Sequence, residues 1–311
     1  MQKVDTVLLF GASGMVGRNL ADYAPKHIQL LTPTSKEVNL FDFEQTKGYI
    51  KKHEPSLIIH SAGIVGGIQA NIANPVKFLI QNTDIGRNLI WAAFESGVKK
   101  LLNLGSSCMY PKDATNPLKE EYVLTGELEP TNEGYALAKI FSQRLCAYIN
   151  RENNEFKYKT VIPCNLYGKY DKFSPDKSHM IPAVIRKIHE AKTSNSSSVE
   201  IWGDGNARRE FMYAGDLAQM IWECVQNFEK IPDILNLGLG HDSTINEYYK
   251  TIAKVIDYKG QFSHDLTKPV GMKQKLVDIT KQNTLRLMPN HTLEEGIKMT
   301  YDFFLTQSTK K

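Results

Sequence analysis

The chain has 311 residues, enough for two lobes around a substantial core, and its 41% apolar and 23% charged residues are those of an ordinary globular protein. Its net charge of +4 is mild and spread along the chain, which argues against nucleic acid as a partner and suits an anionic substrate. No apolar run reaches the roughly 18 residues a bilayer span needs, and the first five residues carry no leader-like apolar stretch, so the expectation is a cytoplasmic protein with no membrane partner. The four cysteines (Cys108, Cys146, Cys164 and Cys224) are far apart and form no CxxC or Cys/His cluster, which argues against a disulfide framework and against a metal site.

In chain order, Val7–Phe10 is a short apolar run that ends in a glycine-rich turn, after which Met15, Val16, Leu20 and Tyr23 recur at helical spacing. His27–Leu31, Leu57–His60, Leu101–Leu104 and Thr160–Pro163 read as further buried strands. The stretches between them, such as Asn74–Ser96 and Asn132–Asn153, are long enough for helices. Continuous apolar strands separated by helices predict a parallel sheet covered on both faces. Past residue 167 the pattern loosens. A polar loop (Lys169–Lys177) precedes a predicted helix at Met180–Ala191, and Thr193–Ser198 reads as a flexible surface loop. One more buried strand is expected at Ile234–Leu239, then helices at Thr244–Ile256 and Thr292–Thr306. The predicted class is α/β: a doubly wound parallel sheet with a smaller C-terminal α+β lobe. Residues 1–167 with about 212–240 would form the dinucleotide domain, and 168–211 with 241–311 the substrate lobe.

Gly11-Ala12-Ser13-Gly14-Met15-Val16-Gly17 follows the first strand and opens the first helix. Glycines at these spacings let the backbone turn tightly and approach a pyrophosphate, which the helix N-terminus favours. Gly11, Ser13, Gly14, Met15 and Val16 are therefore candidate cofactor contacts. The GxxGxxG spacing is that of extended short-chain dehydrogenases. The second strand ends in Leu30-Leu31-Thr32-Pro33-Thr34-Ser35-Lys36, with no carboxylate at its tip for the two free ribose hydroxyls of NAD. That absence, with Ser13, Ser35 and Lys36 as phosphate donors, points to NADP(H). Lys36 reads equally well as a solvated surface lysine.

Tyr135 and Lys139 stand at i and i+4, one turn apart on a helical face. An ammonium there would stabilise the tyrosinate and lower the phenol's pKa, making it a usable acid at neutral pH. Ser106 lies just past the fourth strand, at the carboxyl edge where such folds hold their ligands, and could hydrogen-bond the same substrate oxygen.

Gly105-Ser106-Ser107-Cys108-Met109-Tyr110-Pro111-Lys112, Glu129-Pro130-Thr131-Asn132-Glu133, Asn165-Leu166-Tyr167-Gly168 and Ser178-His179-Met180-Ile181-Pro182 resemble the GDP-L-fucose synthase family. Val65-Gly66-Gly67-Ile68 and Trp202-Gly203-Asp204-Gly205 through Arg209-Glu210-Phe211 continue the match in family order. The resemblance implies a GDP-linked 4-keto-6-deoxy sugar as substrate, inverted at C3 and C5 and then reduced at C4 by NADPH. It implies Cys108 as the base and His179 as the acid for inversion, and Ser106, Tyr135 and Lys139 for reduction. A lysine beside Cys108 would lower the thiol's pKa, and a histidine titrates near neutrality. Cofactor contacts would also come from Tyr135, Lys139, Pro163, Asn165, Leu166 and His179. Substrate contacts would come from Ser107, Asn165, Lys187, Trp202, Arg209 and Lys275. The planar fork of Arg209 suits a diphosphate, whereas Trp202 reads equally well as a core-plugging residue. A homodimer through two long helices of the first lobe is also implied.

The chain departs from the family pattern at Ser13 and Ser35, where arginines are usual. It also departs at Ile64 (lysine), Gly134 (proline), Cys164 (threonine) and Lys187 (arginine). These changes cluster near cofactor and sugar and leave the sugar open, since relatives act on GDP-manno-heptose derivatives and some only reduce C4. A dehydratase would need an Asp-Glu pair where Ser107-Cys108 stands, and a simple 4-epimerase would have no use for Cys108 and His179. A non-enzymatic NADP-binding sensor commonly loses the catalytic tyrosine, which this chain keeps.

Overall fold

The computed structural model describes residues 4–174, 178–268 and 272–308. The chain opens with β1 (Thr6–Phe10), α1 (Met15–Asp22), β2 (Gln29–Leu31), α2 (Phe43–His53), β3 (Leu57–His60), α3 (Ile68–Ala73), α4 (Pro75–Glu95) and β4 (Lys100–Leu104). It continues through α5 (Glu133–Glu152), β5 (Lys157–Pro163), β6 (Asn165–Tyr167), α6 (Met180–Thr193), β7 (Ser198–Trp202), β8 (Arg208–Arg209), β9 (Phe211–Tyr213), α7 (Ala214–Gln226) and β10 (Ile234–Leu237). It closes with β11 (Ser243–Thr244), α8 (Ile245–Ile256), β12 (Gln261–Asp265), β13 (Gln274–Lys275), α9 (Thr280–Thr284) and α10 (Leu293–Ser308).

Six strands form one sheet in the order β10-β5-β4-β3-β1-β2, and every pairing in it is parallel. Val7, Leu9, Leu57, Ile59, Leu102 and Val161 join one core with α7, while Leu8, Phe10, Ile58 and Leu101 join another with α4 and Tyr158. Alternate residues of each strand thus feed opposite cores, which is why the strands are mostly apolar, with His60, Asn103, Lys159, Thr160 and Asn236 as buried polar exceptions. The strand order reverses between β1 and β3, and the crevice at the strands' carboxyl ends there is the expected ligand site.

A third core, formed by α6, α8, α10 and the short strands β7 and β9, lies apart from the other two. There β8 is flanked by β11 and β13, β12 pairs with β7, and β6 pairs with β9. Ser198, expected in a flexible loop, opens β7, whose burial alternates residue by residue. Of the polar loop expected at 169–177, residues 175–177 lie outside the described residues.

Candidate active site

The turn after β1 is built so that only glycine fits. Gly11 has φ +89°, and a Cβ there would lie 2.5 Å from the backbone nitrogen of Ala62. A Cβ on Gly17 would lie 2.2 Å from the carbonyl oxygen of Gly11, so the helix can begin this close to the strand only with glycine at 17. Gly14 is the N-cap of α1 and offers no side chain to its free N–H groups, and the first turn holds no acidic residue. Those groups and the helix dipole suit a diphosphate. Ser13 is exposed at this turn, and Met15 and Val16 are half-buried behind it.

Ser35 and Lys36 are exposed in the turn beyond β2. The same turn holds Glu37, a carboxylate that the search of the strand tip passes over. It accepts from the backbone N–H and hydroxyl of Thr34 (2.8 Å each), and these bonds hold it below the usual carboxylate range.

At the end of β4, Ser106 accepts the Cys108 N–H at 3.4 Å and starts a short helical turn, Ser107–Met109, that buries Ser107 and Cys108. α5 brings Tyr135 and Lys139 to the same place, with the Lys139 Nζ 5.7 Å from the tyrosine ring centre and donating to the Leu104 carbonyl at 2.9 Å. Burial lowers Lys139 to about 8. The phenol does not behave as its spacing from Lys139 predicts: burial, and then the charge of Cys108, push Tyr135 up, so it is protonated at neutral pH. Nor is the Cys108 thiol simply lowered by a lysine. Burial pushes it up, while Lys275, the hydroxyl of Ser106 and Lys139 pull it down. Lys139 is thus one of several groups opposing a larger desolvation cost.

Lys275 reaches this centre from β13, which pairs with β8 in register Lys275↔Arg209. Burial lowers Lys275, and Cys108, Arg209 and Glu129 are the charges that act on it. Arg209 donates to the Arg208 carbonyl at 2.8 Å and is lowered by burial, against the pull of Glu129. The structure thus gathers Ser106, Ser107, Cys108, Tyr135, Lys139, Arg209 and Lys275. Pro163 ends β5 nearby, and Asn165, at the start of β6 with Leu166, donates to the Glu210 carbonyl at 3.1 Å.

His179 arrives from the other side as the N-cap of α6. The carbonyl of its neighbour Ser178 lies 3.4 Å from where a Gly67 Cβ would stand, so this segment rests on the turn before α3. Burial, with Lys172 adding to it, lowers the imidazole below its ordinary value. Lys187 lies two turns along α6 and gives its ammonium to the Glu200 carbonyl. Trp202 is 50% exposed and so does not plug a core; Lys268 sits 5.7 Å from its ring centre.

Several contributors were not singled out from sequence. Glu210 is fully buried and accepts N–H bonds from Leu239 (2.5 Å), Gly240 (3.0 Å) and Val277 (3.0 Å), fixing the strand that carries Arg209 to the end of β10; burial raises it to about 7. Asn82 of α4 clasps the backbone of Ile64 through both its N–H (2.8 Å) and its carbonyl (3.1 Å), which sets Gly63 close over the Lys139 ammonium. The run Arg208-Arg209-Glu210 was the available clue to the first, because an acid next to two arginines inside a strand demands partners. A lone Asn within a helix offers no comparable clue.

Residues 7–238 match the model of the NAD dependent epimerase/dehydratase family. The chain is 58% identical over 302 residues to the GDP-L-colitose synthase of Yersinia pseudotuberculosis, covering 97% of this chain and 98% of that one. It is 47% identical over 307 residues to the GDP-L-fucose synthase of Azorhizobium caulinodans, covering 98% of each. A solved GDP-mannoheptose C4 reductase from Campylobacter jejuni, with NADP bound, superposes with a TM-score of 0.88 at 29% identity, over 98% of this chain and 99% of that one. The chain belongs to the NAD dependent epimerase/dehydratase family, in the branch of the GDP-L-fucose and GDP-L-colitose synthases.

Proposed function

We propose that this protein is an NADPH-dependent oxidoreductase that reduces the C4 ketone of a GDP-linked 4-keto-6-deoxy sugar after inverting the ring carbon or carbons beside that ketone. The observation that carries this reading is the gathering of Ser106, Cys108, Tyr135 and Lys139 at one sheet edge, in a chain 58% and 47% identical to two synthases of GDP-linked sugars. The bare N-terminus of α1 and the Gly11 turn fit the cofactor's diphosphate. Bound NADPH supplies a hydride to C4.

The chain's own residues handle protons and charge. Tyr135 stays protonated through burial and so holds the proton that the C4 oxygen needs; Ser106 donates a second hydrogen bond to that oxygen. Lys139 steadies the tyrosinate left behind. Protons on carbons next to a ketone are acidic, and Cys108 is the base that removes one, helped by the Lys275 ammonium against the cost of burial. His179 returns a proton on the opposite face. Burial makes the imidazole harder to charge, and the negative charge of the GDP diphosphate or the developing enolate would favour its charged form. Arg209 and Lys187 are assigned to the diphosphate, and Trp202 and Asn165 to the rest of the nucleotide sugar.

In the same proposal, residues 1–167 and about 212–240 hold the cofactor, and 168–211 with 241–311 hold the sugar nucleotide. The protein works in the cytoplasm as a homodimer. α4 and α5 pack against each other and leave Val76, Ile80 and Trp91 on one helix, with Leu137, Phe141 and Tyr148 on the other, exposed in a stripe that a second copy would cover. The described residues include no helix long and apolar enough to cross a membrane.

Similarity to the heptose reductase favours a second reading, in which the chain only reduces an already inverted GDP-4-keto-heptose. Incubation of the 4-keto-6-deoxyhexose in heavy water with oxidised cofactor separates the two. Deuterium at C5, and at C3 where that carbon bears a hydroxyl, is the expected result, and it should vanish in Cys108→Ser. No exchange at either carbon, with rapid reduction of the pre-inverted sugar, would leave the second reading.

A further inference from the structure

Lys169 and Tyr170, which follow β6 and precede His179 in the chain, are fastened to α1, the helix whose N-terminus is assigned to the cofactor. Four contacts make the fastening. The Asp22 carboxylate, in the last turn of α1, accepts from the Lys169 ammonium at 2.7 Å and from the Tyr170 hydroxyl at 2.9 Å. The Arg18 guanidinium lies 3.8 Å from the centre of the Tyr170 ring, and the buried Asn19 donates to the Lys169 carbonyl at 3.0 Å. Tyr170 holds φ +72°, a conformation non-glycine residues avoid unless their surroundings impose it. From there Phe173 packs on Phe303 and Phe304 of α10, and the Ser178 hydroxyl donates to the Ser174 carbonyl at 2.5 Å, immediately before His179. An exposed ion pair alone does little. Here one carboxylate binds two partners, while a cation and a buried amide hold the same two residues from the same helix.

We infer that Asp22, Arg18 and Asn19 on α1, with Lys169 and Tyr170, form a positioning clamp that fixes His179 relative to the cofactor helix, so that proton return to the sugar ring depends on the clamp and hydride transfer does not. The inference rests on the assignment of His179 as the proton donor. None of the five residues touches the reacting atoms in this scheme; they act through the segment they hold. Hydride transfer uses Ser106, just past the end of β4, and Tyr135 and Lys139 on α5, none of which belongs to this segment.

The test compares two half-reactions in Asp22→Ala, in Tyr170→Phe and in the conservative Asp22→Glu. The first half-reaction is deuterium uptake at C5 with oxidised cofactor, and the second is NADPH consumption on the pre-inverted ketone. Because a displacement of about 1 Å can slow a positioned step on the order of 10²-fold, uptake should fall at least about tenfold in Asp22→Ala, while NADPH consumption and NADPH affinity stay within about twofold. Tyr170→Phe should show a smaller loss of the same kind, and Asp22→Glu should recover uptake. Uptake unchanged in Asp22→Ala, or both half-reactions falling by the same factor, would overturn the clamp while leaving His179 its role. A wild-type protein that takes up no deuterium would remove that role, and the clamp with it.

Discussion

Cys108, Tyr135 and Lys139 show how one buried place sets three titrations against one another. Desolvation raises the thiol and the phenol and lowers the ammonium to about 8; the charges of Cys108 and Lys139 act on each other, and that of Cys108 raises Tyr135 further. Tyr135→Phe removes the proton donor and keeps the ring. Turnover should fall on the order of 10² or more while NADPH still binds in a fluorescence titration; near-normal turnover would mean that another group protonates the C4 oxygen. The lysine has its own signature. Below about 8 it is charged and supports the tyrosinate, and as pH rises through that value the charge is lost. The value of kcat/KM for reduction should therefore decline on the alkaline side of about 8, and the residual activity of Lys139→Arg should lack that decline, because a guanidinium stays charged. A wild-type profile flat to pH 10 would contradict the assigned role. The identities of these residues were legible from sequence through Tyr135-x-x-x-Lys139 and the Ser106-Ser107-Cys108 run. Their protonation was not, since spacing reports which groups meet and says nothing of how completely water is excluded.

At the scale of elements, legibility followed burial. The strands β1, β3, β4, β5 and β10 carry apolar runs whose side chains of both parities enter a core, and those runs were readable; the Lys157–Lys159 start of β5 was not. The two- and three-residue strands β6, β8, β9, β11 and β13 have no room for a period, so their pairing emerges only in three dimensions. β7 hid behind the serine run that precedes it. α7 was obscured for the opposite reason: Ala214, Leu217, Ala218, Met220, Ile221, Trp222, Cys224 and Val225 are buried on nearly every side, which erases the contrast that marks an amphipathic helix. α4 and α5 were legible as long helices. Gly134 sits at their close approach, where a Cβ would lie 2.8 Å from the Pro75 carbonyl oxygen. Their outer stripe gives an element-level expectation. Sedimentation should show a particle of twice 35.2 kDa at micromolar concentration, and Phe141→Glu, at the middle of the stripe, should shift it to the single mass without unfolding it. A wild-type monomer would remove the dimer and leave the fold intact.

Taken whole, the molecule presents its two sets of groups from opposite sides of one crevice. The turn after β1 and the ends of β4 and α5 come from the sheet side. The start of α6 and the paired strands β8 and β13 come from the smaller core and carry His179, Arg209 and Lys275. Glu210 accepts buried hydrogen bonds from the chain just past β10 and from Val277 beyond β13, which holds the strands carrying Arg209 and Lys275 in register with the sheet. This arrangement serves a reaction in which a hydride and a proton meet one carbonyl while a neighbouring carbon exchanges its proton on the other face. Absorbance at 340 nm after mixing the protein with NADPH and a GDP-linked 4-keto-6-deoxyhexose tests the central claim most directly. The expected result is one NADPH oxidised per sugar consumed, with a GDP-linked 6-deoxy-L-sugar as product. Stable absorbance with that substrate and with its pre-inverted isomer, in a protein that binds NADPH, would contradict it.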